Sequence, residues 1–388
     1  MKGILSVLLL LSLLLCSCNT AGAPTHQNSE KMIGVWITYG EIKKFAGSEK
    51  GFYEEFSQAV SRCREIGVNN VFVHVRAFCD AVYESRYFPK CDYLGSLDAL
   101  SVMTDLCHKN GIKIHAWINP YRVSNQSDLK KLPETSPARK FLEDQNTEND
   151  KNVCVTKAGI YLNPAENEVR RLILCGVREI LENYDVDGIH FDDYFYPTTD
   201  EKFDEASYKE YEASAEYPLD IGNWRRQNVN TLLNACYCAV KQKGENLVFG
   251  ISPAADIDKC YNSMYADVEG WLGGGYIDYI MPQLYFGFRY PKENFRFDSL
   301  LEKWLDITGN RSADLYCGLP NYKIGSSAQA DKEEWNSDKD IIARQIALLY
   351  EKGVEGFTFF SYESLFSDNE LNRIQLNKIK EELKKKGS

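Results

Sequence analysis

Apolar positions along this chain keep two rhythms in alternation. Short runs rich in β-branched and aromatic residues read as strands: "MIGVWIT" (32–38), "NVFVHVR" (70–76), "IKIHAWI" (112–118), "VDGIHFD" (186–192), "LVFGIS" (247–252), "IDYIMPQLY" (277–285), "LYCGLP" (315–320) and "GFTFFS" (356–361). Between them, apolar residues step by three and four, the period of an amphipathic helix. Those helices fall at about 52–66, 97–109, 163–185, 224–242, 265–272, 298–307 and 338–352, with a basic helix closing the chain. Gly67 and Asn110-Gly111 are stop signals, and Pro164 stands near a helix start.

Eight strands alternating with helices predict an α/β protein, a (β/α)8 TIM barrel forming a single domain over 32–388 with decorated loops. A doubly wound open sheet normally needs fewer units, and no glycine-rich phosphate loop follows the first strand. The acidic, tyrosine-rich insertion at 198–223 reads as a lid or a solvated surface loop, and the surface loop is the preferred reading.

The first residues follow another pattern. "MKGILSVLLLLSLLLCSCN" has one lysine and then an apolar run too short to span a bilayer comfortably. Its end resembles a bacterial lipobox, in which Cys18 is the lipidated residue; Cys16 fits less well because Leu15 is not small. Residues 1–17 are therefore expected to be a lipoprotein signal peptide and 18–31 a flexible tether. The protein is expected to be exported and anchored by lipid to the cell membrane or outer membrane, facing outward or the periplasm.

A formal charge of -11 argues against nucleic acid as a partner. Ten cysteines follow Cys18, several in helical or strand patterns where a thiol serves as a small apolar group, so mostly free thiols are expected. Neither paired C-x-x-C motifs nor histidines at ligand spacing occur, so no metal and no cofactor is expected. Oligomeric state is left open.

Barrel sites sit at the carboxyl ends of the strands, and polar residues gather there. Strand two ends in Arg76, with Asp80 beyond; strand three carries His115 and Trp117, then Asn119 and Tyr121 before Arg122. Strand four carries His190 and ends in Asp192, Asp193 and Tyr194; strand five ends at Ser252, with Asp256 beyond. Gln283 and Tyr285 end the sixth, Asn321 the seventh, and Tyr362 and Glu363 the eighth. Alternation puts His190 and Asp192 on one face of strand four and aims Asp192 into the barrel mouth. Arg76 within an apolar strand needs a partner, for which Asp192 is the candidate. Ser252 lies in no G-x-S-x-G elbow, which disfavours acyl transfer.

Carboxylates, amides and aromatics on a barrel rim suit glycosidic cleavage, which needs two carboxyl groups. Asp192 supplies one, with Asp193 beside it. Glu363, Asp256 and Asp80 are candidates for the second, and the remaining strand-end residues are assigned to sugar binding.

The stretches "GVWITY", "NNVFVHVRAFCDAVYESRYFP", "HAWINPYRV", "YLNPAENEVRR", "DGIHFDDYFYP", "GISPAAD" and "YIDYIMPQLYF" resemble the glycosyl hydrolase-like family 10, over roughly Ile33 to Ser364. The resemblance implies a barrel glycosidase, often on secreted proteins or lipoproteins, with its acid at the Asp192-Asp193 pair. Some members look like hydrolases of peptidoglycan glycan strands stripped of stem peptides. That is the expected activity here. The alternatives are a hydrolase of dietary or capsular polysaccharide and a non-catalytic glycan-binding lipoprotein.

Overall fold

Parallel pairing runs around the molecule almost without a break. The computed structural model describes residues 31–386 other than Asn310 and Gln329; the leader, the tether and Cys18 lie outside the described residues. Strand one (Met32–Ile37) pairs with strand two (Asn70–Arg76) on one side and strand eight (Gly356–Phe359) on the other. Strand three (Lys113–Ile118), strand four (Gly188–Phe191), strand five (Val248–Ile251) and strand six (Tyr279–Ile280) follow in order, all parallel. Strand seven comes in two pieces: Asp314–Leu315 pairs with strand six and Cys317–Leu319 with strand eight. The result is the expected eight-stranded barrel, nearly closed and interrupted at Tyr316.

Strand six is shorter than its apolar run because Pro282 has no N–H to offer the ladder. Beyond it, pairing continues only as isolated bridges from Gln283 to Ala254 and Gly318. Side chains on alternate positions split into two cores. Val35, Val71, Val73, Ile114, Ile189 and Phe249 face the helices. Met32, Trp36, Phe72, Trp117, Tyr279, Met281 and Tyr316 fill the barrel interior.

Gly250 stands opposite Tyr279 on the neighbouring strand, and a Cβ there would lie 2.0–2.3 Å from three atoms of the Tyr279 ring. Gly250→Ala is expected to lower stability by about 1–3 kcal/mol through overpacking, read as a drop in the urea midpoint.

Two features depart from the sequence expectation. After strand three the chain forms a three-stranded antiparallel sheet from Arg122–Ser124, Val153–Thr156 and Gly159–Leu162, pieces too short for a periodic signal. The insertion at 198–223 is not simply a solvated loop. It holds the helix Glu205–Ser214, whose Tyr208 and Tyr211 rings pack on Trp224 at 5.1 and 5.7 Å. Its anchor is Asp204, which accepts three hydrogen bonds from the buried Arg225 guanidinium at 2.5–3.2 Å. Arg225 also donates to the Tyr265 hydroxyl (2.9 Å) and the Asp200 carbonyl (2.8 Å). An insertion made of charged and polar residues gives no sequence sign that one of its charges, Asp204, is internal.

The ten cysteines among the described residues are free thiols; all are buried except the half-buried Cys175 and Cys238.

Candidate active site

The side chain of Asp192 lies at the head of strand four, only 2% exposed, on the floor of a cavity of about 220 Å³. Trp36, Tyr39, His74, Trp117, Arg122 and Tyr194 line one part of it, and Ser252, Gln283, Tyr285 and Phe360 the other. Trp117 donates its indole N–H to Asp192 Oδ2 at 3.0 Å, and the Tyr194 backbone N–H donates to Oδ1 at 3.4 Å. Both donors favour the carboxylate, as does the charge of Arg122. Burial outweighs them and, with the neighbouring Asp193 charge, pushes the Asp192 carboxyl up to about 7. Asp193 is half-buried, and burial raises its pKa as well. The Gln283 amide, Lys259 and Arg122 pull it the other way. The pair thus joins a carboxyl that is part-protonated near neutral pH to a second one whose neighbours favour ionisation.

Each wall of the cavity has a local cause. The Trp117 indole stacks on the His74 imidazole at 3.7 Å, the two being register partners on adjacent strands. Burial and the Arg122 charge hold His74 well below the ordinary histidine range, so it is neutral. Neither of its ring nitrogens has a hydrogen-bond partner among the described residues. The Arg122 guanidinium is clamped between the rings of Phe78 (4.4 Å) and Tyr194 (4.5 Å). Thr38 caps the helix Tyr39–Phe45 in a reciprocal box with Glu41, and this sets Tyr39 at the rim.

Of the residues expected at the site, Asp192, Trp117, Tyr194, Gln283 and Tyr285 come together here, with Asp193 beside them. His190 lies deeper, within the barrel. Its Nε2 accepts from the Trp36 indole at 3.2 Å and its Nδ1 meets the Tyr279 hydroxyl at 2.9 Å, so it supports the floor.

Others stand elsewhere. Arg76 is turned outward, stacked on Phe88 at 3.6 Å against the helix Asn167–Asn183, and it has no carboxylate partner among the described residues. A register shift between His74 and Arg76 is the reason: His74 pairs with inward Trp117, Arg76 with outward Ile118. His115 sits toward the opposite end of the barrel. There its ring stacks on Phe72 at 4.5 Å, its Nε2 meets Asn70 Oδ1 at 2.9 Å, and burial pushes it down to about 4. Asn119 and Tyr121 are fully buried, Asn119 accepting from the Arg122 N–H at 3.2 Å. Asn321 is buried in a turn, and Tyr362 packs on Phe45 at 6.0 Å.

None of the three acids offered as a second carboxyl lines this cavity. Glu363, 59% exposed, pairs with Lys44 on the surface. Asp256 caps the helix Ile257–Ser263. Asp80 accepts from the Ala77 and Phe78 N–H groups at 3.2 and 3.0 Å and lines a different pocket. Lining residues not anticipated include Trp36, Thr38, Tyr39, His74 and Phe360. Strict alternation from Gly34 to Trp36 and from Phe72 to His74 carried a signal for two of them.

A family model described as glycosyl hydrolase-like 10 matches residues 31–337. Glycosyl hydrolase YngK of Bacillus subtilis (strain 168) is 33% identical over 371 residues, covering 87% of this chain and 69% of that protein. Glycosyl hydrolase DigH of Escherichia coli (strain K12) is 29% identical over 385 residues, covering 84% and 85%. Among solved structures, the glycoside hydrolase domain of PgaB (BpsB) from Bordetella bronchiseptica shares the fold with a TM-score of 0.62 at 12% identity, over 89% of this chain and 98% of that one.

Proposed function

This chain belongs to the glycosyl hydrolase-like 10 family and is a glycoside hydrolase, and on that premise we propose that it cleaves peptidoglycan glycan strands with Asp192 as proton donor. One observation carries the mechanism: a buried carboxyl pushed up to about 7, on the floor of an aromatic cavity, with a second carboxyl next to it on the same strand end. A group of that pKa still holds its proton in a large share of molecules at neutral pH and can pass it to the leaving glycosidic oxygen. Asp193 then serves as the ionised partner, stabilising positive charge at the anomeric carbon or activating water. Tyr39 and Tyr194 at the rim, both exposed, offer faces for sugar rings.

Support for the glycan strand comes from the resemblance of the motifs to such hydrolases and from the leader at 1–17, which fits export and lipidation at Cys18. The test is to incubate the protein with peptide-free glycan strands and follow shortened sugars by mass spectrometry. Cleavage of a dietary or capsular polysaccharide with intact peptidoglycan strands would replace the proposed substrate and leave the activity class standing.

Trp117→Phe probes the assigned proton. Loss of the indole donor removes stabilisation of the carboxylate, so the Asp192 pKa rises further, by about one unit. The alkaline limb of the rate profile is expected to move to higher pH by that amount. A limb that stays in place would separate Trp117 from the titrating group.

A further inference from the structure

We propose a second sugar-binding subsite on the same face of the barrel, in the pocket between the loops that follow strands two and three. It rests on the reading of this protein as a glycan-strand hydrolase and takes a further pyranose unit of the same strand.

The pocket has a volume of about 390 Å³, larger than the cavity at Asp192 and within the range of ordinary small-molecule sites, ~300–1,000 Å³. Its lining has the chemistry of a sugar site: the half-buried Tyr93 ring, the Phe78 ring, and the ammonium groups of Lys43 and Lys90. Aromatic faces pack against the C–H faces of a pyranose, and ammonium groups donate to its hydroxyls. Lys90 already pairs with Glu84. Lys43 pairs with no carboxylate among the described residues, and its Nζ stands over the Tyr93 ring, 5.8 Å from the centroid. Asp80 is already engaged by two backbone N–H groups and the Cys91 thiol (3.3 Å) and is not free for a ligand.

Position ties this pocket to the active site. Phe78 lines it and also meets Tyr39 edge to face at 5.1 Å, while Arg122 lies over the Phe78 ring at 4.4 Å. Tyr39 and Arg122 both line the cavity of Asp192. One ring therefore separates the two, and a strand crossing Phe78 reaches both.

The experiment uses the intact protein carrying Asp192→Asn, titrated calorimetrically with peptide-free glycan fragments of two and of six sugars. Adding Tyr93→Ala is expected to weaken binding of the longer fragment about tenfold and leave the shorter unchanged. Lys43→Met, at an exposed position that does not bear on folding, is expected to shift affinity in the same direction by a smaller factor. Equal affinity for the longer fragment with and without both substitutions overturns the subsite alone. Failure of the Asp192→Asn protein to bind either fragment overturns the substrate and the subsite together.

Discussion

Asp192→Asn is expected to lower kcat on glycan strands by about 10²–10⁴-fold, the usual contribution of a positioned acid. Asparagine keeps the shape of the side chain and one acceptor oxygen, so one of the two N–H donors, Trp117 to Oδ2 or Tyr194 to Oδ1, loses its acceptor. It removes the transferable proton and the carboxylate charge. Fold and binding should persist, so the loss appears in kcat rather than KM. The same group predicts how stability varies with pH. Its folded pKa, about 7, lies above the ordinary value of 3.8, so the unfolded chain loses this proton first. Stability is therefore unaffected by the shift below about pH 4, falls as pH rises toward 7, and stays lower above it. The upper bound for that fall is about 4 kcal/mol. Urea titrations of wild type and Asp192→Asn at pH 4 and pH 8 should show the variant gaining relative stability at the higher pH. A constant difference would mean that Asp192 titrates as an ordinary carboxylate, and the proton-donor role would fail with it.

Arg225→Met should destabilise the protein by about 3–5 kcal/mol, because it strands the buried Asp204 carboxylate without its cation. The double variant Arg225→Met/Asp204→Leu should recover most of that loss, since apolar groups of similar volume replace buried ion pairs at little cost. Chemical denaturation of the three proteins measures both numbers. A loss below about 1 kcal/mol in the single variant, the range of an exposed pair, would mean that the insertion holding Asp204 is not docked. Activity of the double variant should stay near wild type, as neither residue lines the Asp192 cavity.

How far the site was legible follows from what alternation can carry. The strand "GIHFDD" is regular, so His190 and Asp192 face inward as the period requires, and the acid reaches the cavity where expected. Strand two is regular only as far as His74. One shift in its pairing with strand three sends Arg76 outward and leaves His74 as the inward group. Nothing in "NVFVHVR" marks the shift, because it arises from how two strands meet. Asp80, Asp256 and Glu363 illustrate a second limit: residues past a strand end have no period to aim them. Local hydrogen bonds decide instead, a backbone turn for Asp80, a helix cap for Asp256 and a surface lysine for Glu363.

By itself, then, the sequence determined the barrel, the order of its strands and the strand end that bears the acid. Those features follow from the period of apolar residues and from short connections, which are local. Tertiary structure alone decided that Trp117 holds Asp192, that His74 lies under the indole, and that Arg225 and Asp204 are buried together. Each of these depends on side chains far apart in the chain meeting in a low-dielectric interior, where a hydrogen bond or charge becomes strong enough to shift a pKa or pin a loop.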